Sequence, residues 1–260
     1  MVKKENKKSQ VTIFIIIAII IVAALLIIFY PRININIFAQ KSPQGYIEDC
    51  LKDDVDANLL KLENQGGSLN PENYVLYKDN RIEYLCYTNE YYTTCKMQQP
   101  FVKEHAENEL KASLQDKSEK CINALAADYE SKGYVVSKNT PAVSVEFVPH
   151  NIRIELTSNL VFKKGETTES YEKIVIAKKS DIYDFTMICE SILNWEARYG
   201  DSAPESYMYY YPDLKVEKLK LGDGSKIYTL SNRGTNEKFL FASRSLSWPA
   251  GYNVNNEVVR

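Results

Sequence analysis

The stretch Val11–Tyr30, VTIFIIIAIIIVAALLIIFY, divides the chain into a short basic head and a long C-terminal part. It contains no charged residue, and Thr12 and the Tyr30 hydroxyl are its only polar side chains. About twenty residues of α-helix span roughly 30 Å, the thickness of the hydrocarbon layer of a bilayer. We therefore predict a transmembrane helix over 11–30, because a helix satisfies its own backbone hydrogen bonds in lipid.

The residues on either side of this stretch predict its orientation. Residues 1–10, MVKKENKKSQ, contain four lysines and one glutamate, whereas the first basic residue after the stretch is Arg32. Basic segments stay in the cytoplasm, so 1–10 are predicted to be cytoplasmic and the C-terminal part extracellular. Ile37-Phe38-Ala39 is a poor cleavage site, which favours an uncleaved signal anchor and a single-pass protein of the cell membrane.

The remainder is predicted to comprise a stalk over 31–44 and an extracellular domain over 45–260, with residue 134 as a candidate point of subdivision. Isoleucine and asparagine alternate over 33–37, which is typical of an extended segment. The chain has 32 basic and 34 acidic residues, and without its basic head the rest is more acidic than the whole. This balance argues against a nucleic-acid partner, which requires a basic face.

Apolar residues at helical spacing predict about three amphipathic helices in the domain. They run from Pro43 to Gly66, from Pro100 to about Ser131, and from Asp181 to Tyr199. A slip in the apolar stripe of the second helix, near Asp116, indicates a break. In the third helix the residues predicted to face inward are Ile182, Phe185, Ile188, Cys189, Ile192, Trp195 and Tyr199.

Alternating apolar and polar residues predict antiparallel sheets between these helices. The strands on either side of residues 78–80 are predicted to form a hairpin. A turn at 88–90 leads into a further strand over 91–95. A four-stranded meander is predicted from strands at 143–147, 152–156, 160–162 and 171–177, with three more strands at 214–221, 226–230 and 238–244. The predicted fold class is thus α+β: one N-terminal transmembrane helix, then an extracellular domain of antiparallel sheets and amphipathic helices.

The five cysteines predict two disulfides, since an exported domain lies outside the reducing cytosol. Cys86 and Cys95 are predicted to lie on adjacent strands and to pair. Cys50 and Cys121 each lie on the apolar stripe of a helix, and we predict that they pair as well. Cys189 is then a buried free thiol, and pairing of Cys189 with Cys50 or Cys121 is the alternative.

The sequence contains no nucleophile elbow, phosphate loop, zinc-protease motif or dinucleotide-binding motif. Its only histidines are His105 and His150, and no cluster of cysteine and histidine is present. His105 lies on the apolar stripe of the second helix and is interpreted as a packing residue, with an acid–base role as the alternative. We therefore expect no enzyme activity, no metal site and no cofactor.

The most unusual local stretch of the domain is YMYYYP, which begins at Tyr207 and ends at Pro212. One interpretation is an exposed aromatic surface for a glycan or a partner protein, formed by Tyr207, Tyr209, Tyr210 and Tyr211. The favoured interpretation is a strand or loop that packs these rings onto the C-terminal sheet, because successive residues of a strand alternate inward and outward.

Two resemblances bear on function. Lys7-Lys8-Ser9-Gln10, directly before the apolar run, resembles the class III signals of archaeal type IV pilin-like proteins, which implies cleavage between Ser9 and Gln10. Many pilins carry glutamate where this chain has Phe14. From Gln10 onward, the succession of the apolar run, the Tyr46–Leu51 helix segment, Lys120-Cys121-Ile122 and Lys238–Ala242 resembles uncharacterised single-pass exported proteins of small-genome archaea. That resemblance implies no chemistry.

These observations lead to three hypotheses about function. The first is a membrane-anchored extracellular binding or structural domain at the cell surface, with a surface protein or a glycan as its partner. The second is a type IV pilin-like subunit or accessory of a surface filament. The third and least favoured is an exported enzyme. The predicted helix over 11–30 implies contact with the lipid bilayer and offers a surface for homo-oligomers.

Overall fold

The structure is a computed structural model and describes residues 17–22 and 41–247. The chain divides into two units, Met1–Lys41 and Ser42–Arg260. In the first unit residues 17–22 are helical (α1). The predicted processing site at Ser9 and Gln10, the basic head and the stalk up to residue 40 lie outside the described residues.

The prediction of a transmembrane helix over 11–30 is wrong for the part of the chain that the structure describes. Of that stretch only 17–22 are described. Among all described residues, none of the helices combines the length and the apolar character that crossing a bilayer requires.

The second unit contains four helices and ten strands within its described residues. The helices are α2 (Pro43–Asn64), α3 (Val102–Ser131), α4 (Ile182–Tyr199) and α5 (Glu205–Tyr210). The strands are β1 (Tyr74–Tyr77), β2 (Asn80–Tyr87), β3 (Lys96–Met97), β4 (Val135–Ser137), β5 (Ala142–Val148), β6 (Asn151–Lys164), β7 (Thr167–Lys179), β8 (Leu214–Lys220), β9 (Ser225–Asn232) and β10 (Lys238–Arg244).

The long helices follow the sequence signals closely. The Ser42 side chain caps α2 by accepting a hydrogen bond of 3.2 Å from the Gly45 amide, and Pro43 takes the first helical position. The break predicted near Asp116 is absent, because buried Leu114, Ser118 and Cys121 continue the inner face of α3. With α1 and the short α5, the described chain has five helices instead of about three.

The larger sheet has six strands and is mixed, which corrects the prediction of purely antiparallel sheets. Its order is β1-β2-β10-β9-β8, with β3 also paired to β2. The pair β2–β10 is parallel, and the other pairs are antiparallel. The strand predicted over 91–95 does not form: Tyr92 has φ of +64°, outside the extended region, and β3 begins only at Lys96.

The smaller sheet has four antiparallel strands around β6. Two predicted strands, 152–156 and 160–162, are one long strand here, with a shift of register between Thr157 and Leu160 where Asn159 has φ of +47°. β7 pairs along nearly all of β6, while β5 and β4 pair with its first and last parts. This long β6–β7 hairpin determines where the candidate site forms.

Two large hydrophobic cores lie in this unit. In the first, α2 and α3 pack on the smaller sheet, whose β6 contributes Ile152, Ile154 and Leu156. In the second, α4 packs on the face of the larger sheet that carries Phe239 and Phe241. Leu240 and Ala242 alternate with these residues and belong to a third, smaller cluster on the opposite face.

One part of the predicted inner face of α4 is wrong. The side chains of Trp195 and Tyr199 are each 51% exposed, whereas the neighbouring Glu196 is fully buried. The buried positions of α4 include Cys189, Ile192 and Leu193, and the next helical turn of that face is residue 196. Glu196 is tolerated there because Lys226 and Tyr228 from β9 bind its carboxylate.

The structure contains both disulfides that the sequence predicts. Cys50–Cys121 joins α2 to α3 with α-carbons 6.0 Å apart, and Cys86–Cys95 joins the end of β2 to the residue before β3, at 5.3 Å. Cys189 is a buried free thiol, and burial raises its pKa well above the usual value. Two disulfides are consistent with an extracellular or secreted domain.

Candidate functional site

A cleft of about 610 Å³ lies where four parts of the second unit meet. These parts are the β5–β6 turn, the N-terminal end of α4, the segment from α5 to β8, and the end of β9. We call it the tyrosine cleft. It is larger than two other clefts on the described surface, of about 250 and 370 Å³. Its lining residues include His150, Asp181, Asp184, Tyr210, Tyr211 and Asn232.

The register of the β6–β7 hairpin brings His150 to the N-terminal end of α4. Asn151 at the start of β6 pairs with Lys179 at the end of β7. One residue further out, the Ser180 amide donates a hydrogen bond of 3.2 Å to the His150 carbonyl. Asp181 follows directly and is the N-cap residue of α4. The hairpin thus places an imidazole beside carboxylates about thirty residues away in sequence.

Asp181 is buried and held in one orientation. Its Oδ2 accepts hydrogen bonds from Asn232 Nδ2 at 2.7 Å and from Thr235 Oγ1 at 2.9 Å. Its backbone amide donates to Glu237 Oε2 at 2.6 Å. These bonds leave Oδ1 directed at the His150 ring, with 3.7 Å between Oδ1 and Nδ1.

Asp184, in the first turn of α4, completes a group of three donors. Its Oδ2 lies 3.6 Å from His150 Nδ1. One donor atom from each of His150, Asp181 and Asp184 lies within 4.8 Å of the other two. Partial burial raises the pKa of Asp184; His150 opposes that shift and Asp181 adds to it. We call these three residues the His–Asp–Asp cluster.

The four tyrosines of the 207–212 stretch separate into two groups. Tyr207 is half-buried in α5, and its hydroxyl lies 2.8 Å from Ser191 Oγ. Tyr209, Tyr210 and Tyr211 are exposed by 81%, 76% and 56%. Tyr210 and Tyr211 line the cleft, and Tyr209 packs edge-on against Tyr210 at 5.3 Å between ring centroids. The favoured prediction of a strand or loop packed on the sheet is wrong, since the stretch begins as a short helix.

A second polar group surrounds His105, but its geometry does not suit nucleophilic catalysis. Ser68 Oγ lies 2.7 Å from His105 Nε2, as in a nucleophile–base pair. However, the Ser68 side chain is only 4% exposed, and it hydrogen-bonds the Glu83 carboxylate. In a catalytic triad the carboxylate would bind the histidine instead. Burial raises the pKa of Glu83 to about 7, and these three residues form a partly buried polar network.

Sequence reasoning identified Tyr210 and Tyr211 as candidates but missed the His–Asp–Asp cluster. Metal-site motifs have short, fixed spacings, and here the histidine is separated from the carboxylates by an entire hairpin. The available signal was the gap between the predicted strands 143–147 and 152–156, which contains His150, together with the predicted start of a helix at Asp181. Only the length and register of the β6–β7 pair show that the two meet.

Comparison of the chain with known protein families, with curated proteins and with solved structures gives no match in any of the three.

Proposed function

We propose that this chain is an extracellular binding protein and that the tyrosine cleft binds a carbohydrate. The observation that carries the proposal is the pair of exposed rings, Tyr210 and Tyr211, on a cleft of about 610 Å³. Small-molecule sites commonly measure roughly 300–1,000 Å³ and combine aromatic walls with a few convergent polar groups. This cleft has both features.

The chemistry of the lining favours a sugar over a purely apolar ligand. A sugar ring has C–H faces that stack on aromatic rings and hydroxyl groups that need hydrogen-bond partners. Tyr210 and Tyr211 supply rings, and Met187 adds an exposed apolar side chain. The Asp184 carboxylate accepts no hydrogen bond from the described residues and is available to sugar hydroxyls.

Two further observations support a binding role at the cell exterior. The two disulfides suit an oxidising environment, where surface glycans occur. In the serine–histidine pair that most resembles a catalytic group, the serine is only 4% exposed and hydrogen-bonds the Glu83 carboxylate. We therefore propose binding without turnover of the ligand.

A panel of immobilised glycans probed with the purified chain tests this proposal, followed by calorimetry with the best ligand. We expect Tyr210→Ala and Tyr211→Ala each to weaken binding about tenfold or more, because each removes a stacking surface. Tyr91→Ala is the matched control: Tyr91 is 63% exposed and does not line the cleft.

Three results would contradict the proposal. The first is the absence of binding to any glycan on the panel. The second is glycan binding that both cleft variants retain at full strength. The third is equal weakening by Tyr91→Ala, which would indicate non-specific aromatic contact. Binding of peptides instead of glycans through Tyr210 and Tyr211 would reassign the cleft to a protein partner.

A further inference from the structure

We propose that the His–Asp–Asp cluster binds one divalent transition-metal ion, of the chemical class of Zn²⁺, at the edge of the tyrosine cleft. The ligands are His150 Nδ1, Asp181 Oδ1 and Asp184 Oδ2. This inference goes beyond carbohydrate binding and holds whatever ligand the cleft takes.

The spacing of the donor atoms fits such an ion. Zinc binds histidine nitrogen at about 2.0–2.1 Å and carboxylate oxygen at about 2.0–2.2 Å, so tetrahedral ligand atoms lie roughly 3.4 Å apart. The His150 nitrogen lies 3.7 Å from the Asp181 oxygen and 3.6 Å from the Asp184 oxygen. These separations are too long for hydrogen bonds, and the three donor atoms all lie within 4.8 Å of one another, so side-chain movements bring them to the spacing of a bound ion. The His150 side chain is 77% exposed and free to make them.

Hydrogen bonds from neighbouring residues orient one of the three proposed ligands, Asp181, as is usual in metal sites. Ligating carboxylates are usually oriented by hydrogen bonds to their second oxygen. Asn232 and Thr235 bind Asp181 Oδ2 and leave Oδ1 directed at the cluster. The ligands come from two separate elements, the β5–β6 turn and the first turn of α4, so the cluster does not arise from one acidic segment.

The mixture of donors selects the class of ion. Calcium and magnesium prefer oxygen ligands, whereas imidazole together with carboxylate suits zinc and its neighbours. Two carboxylates and a neutral imidazole also balance the double positive charge. Three protein ligands leave one position of a tetrahedral ion open, and the adjoining cleft is where a further ligand would reach it.

The test uses the full chain, stripped of metal, and Zn²⁺ alone. We expect calorimetry to show one saturable equivalent of Zn²⁺ and weaker binding of Ca²⁺. The chain has two histidines, so its NMR spectrum contains two imidazoles. Zn²⁺ should shift the His150 resonances and leave those of His105 in place.

Single substitutions test which residues bind the Zn²⁺ ion. We expect His150→Gln and Asp184→Asn each to weaken Zn²⁺ binding at least tenfold, and Asn232→Ala to weaken it about tenfold through its effect on Asp181. Asp213→Asn is the matched control, since Asp213 lines the same cleft but lies outside the cluster. Circular dichroism checks that each variant is folded. If Asn232→Ala does not fold, the effect of Asp184→Asn on Zn²⁺ binding remains the test.

The proposal is overturned by the absence of saturable Zn²⁺ binding, by a shift of His105 in place of His150, or by unchanged binding in folded His150→Gln and Asp184→Asn. Tighter binding of Ca²⁺ than of Zn²⁺ would overturn the choice of ion. Because no carbohydrate is present, each of these results leaves the proposed function of the cleft unaffected.

Discussion

At the scale of single residues, Glu63 near the end of α2 carries a buried carboxyl group that lacks a full set of hydrogen bonds within the described part of the chain. Its side chain is 6% exposed, and its Oε1 has no hydrogen-bond partner there. Burial, together with the charges of Glu237 and Asp181, raises its pKa to about 8. At neutral pH the folded protein therefore holds this residue mainly in its protonated form.

This gives a prediction for the pH dependence of stability. Because the pKa of Glu63 is higher in the folded chain than the unfolded value of 4.5, its contribution is fully present below pH 4.5. That contribution is lost as the pH rises through about 8. We expect Glu63→Gln to stabilise the protein on the order of 3 kcal/mol at pH 7 and to change little at pH 4. Denaturant unfolding at a series of pH values measures this.

The matched control is Glu130→Gln, because Glu130 is exposed on α3. That variant should follow the wild-type pH profile. A Glu63→Gln protein whose stability falls in parallel with wild type between pH 4.5 and 8 would show that Glu63 is not the titrating group.

At the scale of elements, α4 is attached to the larger sheet by a buried ion pair. Lys226 Nζ on β9 donates to Glu196 Oε1 at 3.0 Å and Oε2 at 2.8 Å, and the Tyr228 hydroxyl donates to Oε1. The Glu196 and Lys226 side chains are 0% and 9% exposed. Loss of Lys226 leaves the Glu196 carboxylate buried without a cation beside it, which costs far more than loss of a surface pair.

We therefore expect Lys226→Met to destabilise the protein by about 3–5 kcal/mol. Adding Glu196→Gln should recover part of that loss. The second change removes the unpaired Glu196 carboxylate, and the side-chain oxygen of the introduced glutamine still accepts the hydrogen bond from Tyr228. Urea unfolding of the single and double variants measures both values. Lys132→Met breaks an ion pair that is 40% exposed on each side, and it should cost less than about 1 kcal/mol. A double variant less stable than Lys226→Met would refute this account.

The sequence predicts elements well where a local rule decides them. Ser42 and Pro43 define the start of α2, and helical periodicity predicts α3 and α4. Prediction from the sequence fails where residues far apart in the chain determine which side chain is buried or which strands pair. Burial of Glu196 in place of Trp195 depends on Lys226 from another strand, and the parallel pairing of β2 with β10 has no local signal.

The candidate site shows the same division. The exposed rings of Tyr210 and Tyr211 come from a stretch that is conspicuous in the sequence. The His–Asp–Asp cluster depends on the register of β6 with β7, where pairing of Asn151 with Lys179 brings His150 beside Asp181. A slip of that register by two residues would separate the imidazole from both carboxylates, yet the alternation of apolar residues would be unchanged.

At the scale of the whole second unit, the two large cores share elements. α3 contributes Val102 to the core on the larger sheet and Leu110, Leu114 and Ile122 to the core on the smaller sheet. α4 likewise contributes Ile182 to one and Phe185 to the other. Each core also contains one disulfide: Cys50–Cys121 in the first and Cys86–Cys95 in the second. Shared helices predict that the two cores unfold together.

The two disulfides should differ in their effect on that transition. Cys50 and Cys121 are 71 residues apart in sequence, whereas Cys86 and Cys95 are 9 residues apart. A crosslink that closes a longer loop removes more entropy from the unfolded chain. We expect replacement of Cys50 and Cys121 by alanine to cost about 4 kcal/mol, and replacement of Cys86 and Cys95 to cost about 2.5 kcal/mol. Denaturant unfolding of the two double variants, produced under oxidising conditions, measures the difference.

Comparison of the two double variants is its own control, because both remove two largely buried sulfurs and differ chiefly in loop length. Each should unfold in one transition seen equally by tyrosine fluorescence and by far-ultraviolet circular dichroism, since α3 and α4 belong to both cores. An equal or larger loss from Cys86 and Cys95 would show that native packing outweighs loop closure. Two separate transitions in either variant would show that the shared helices do not couple the cores.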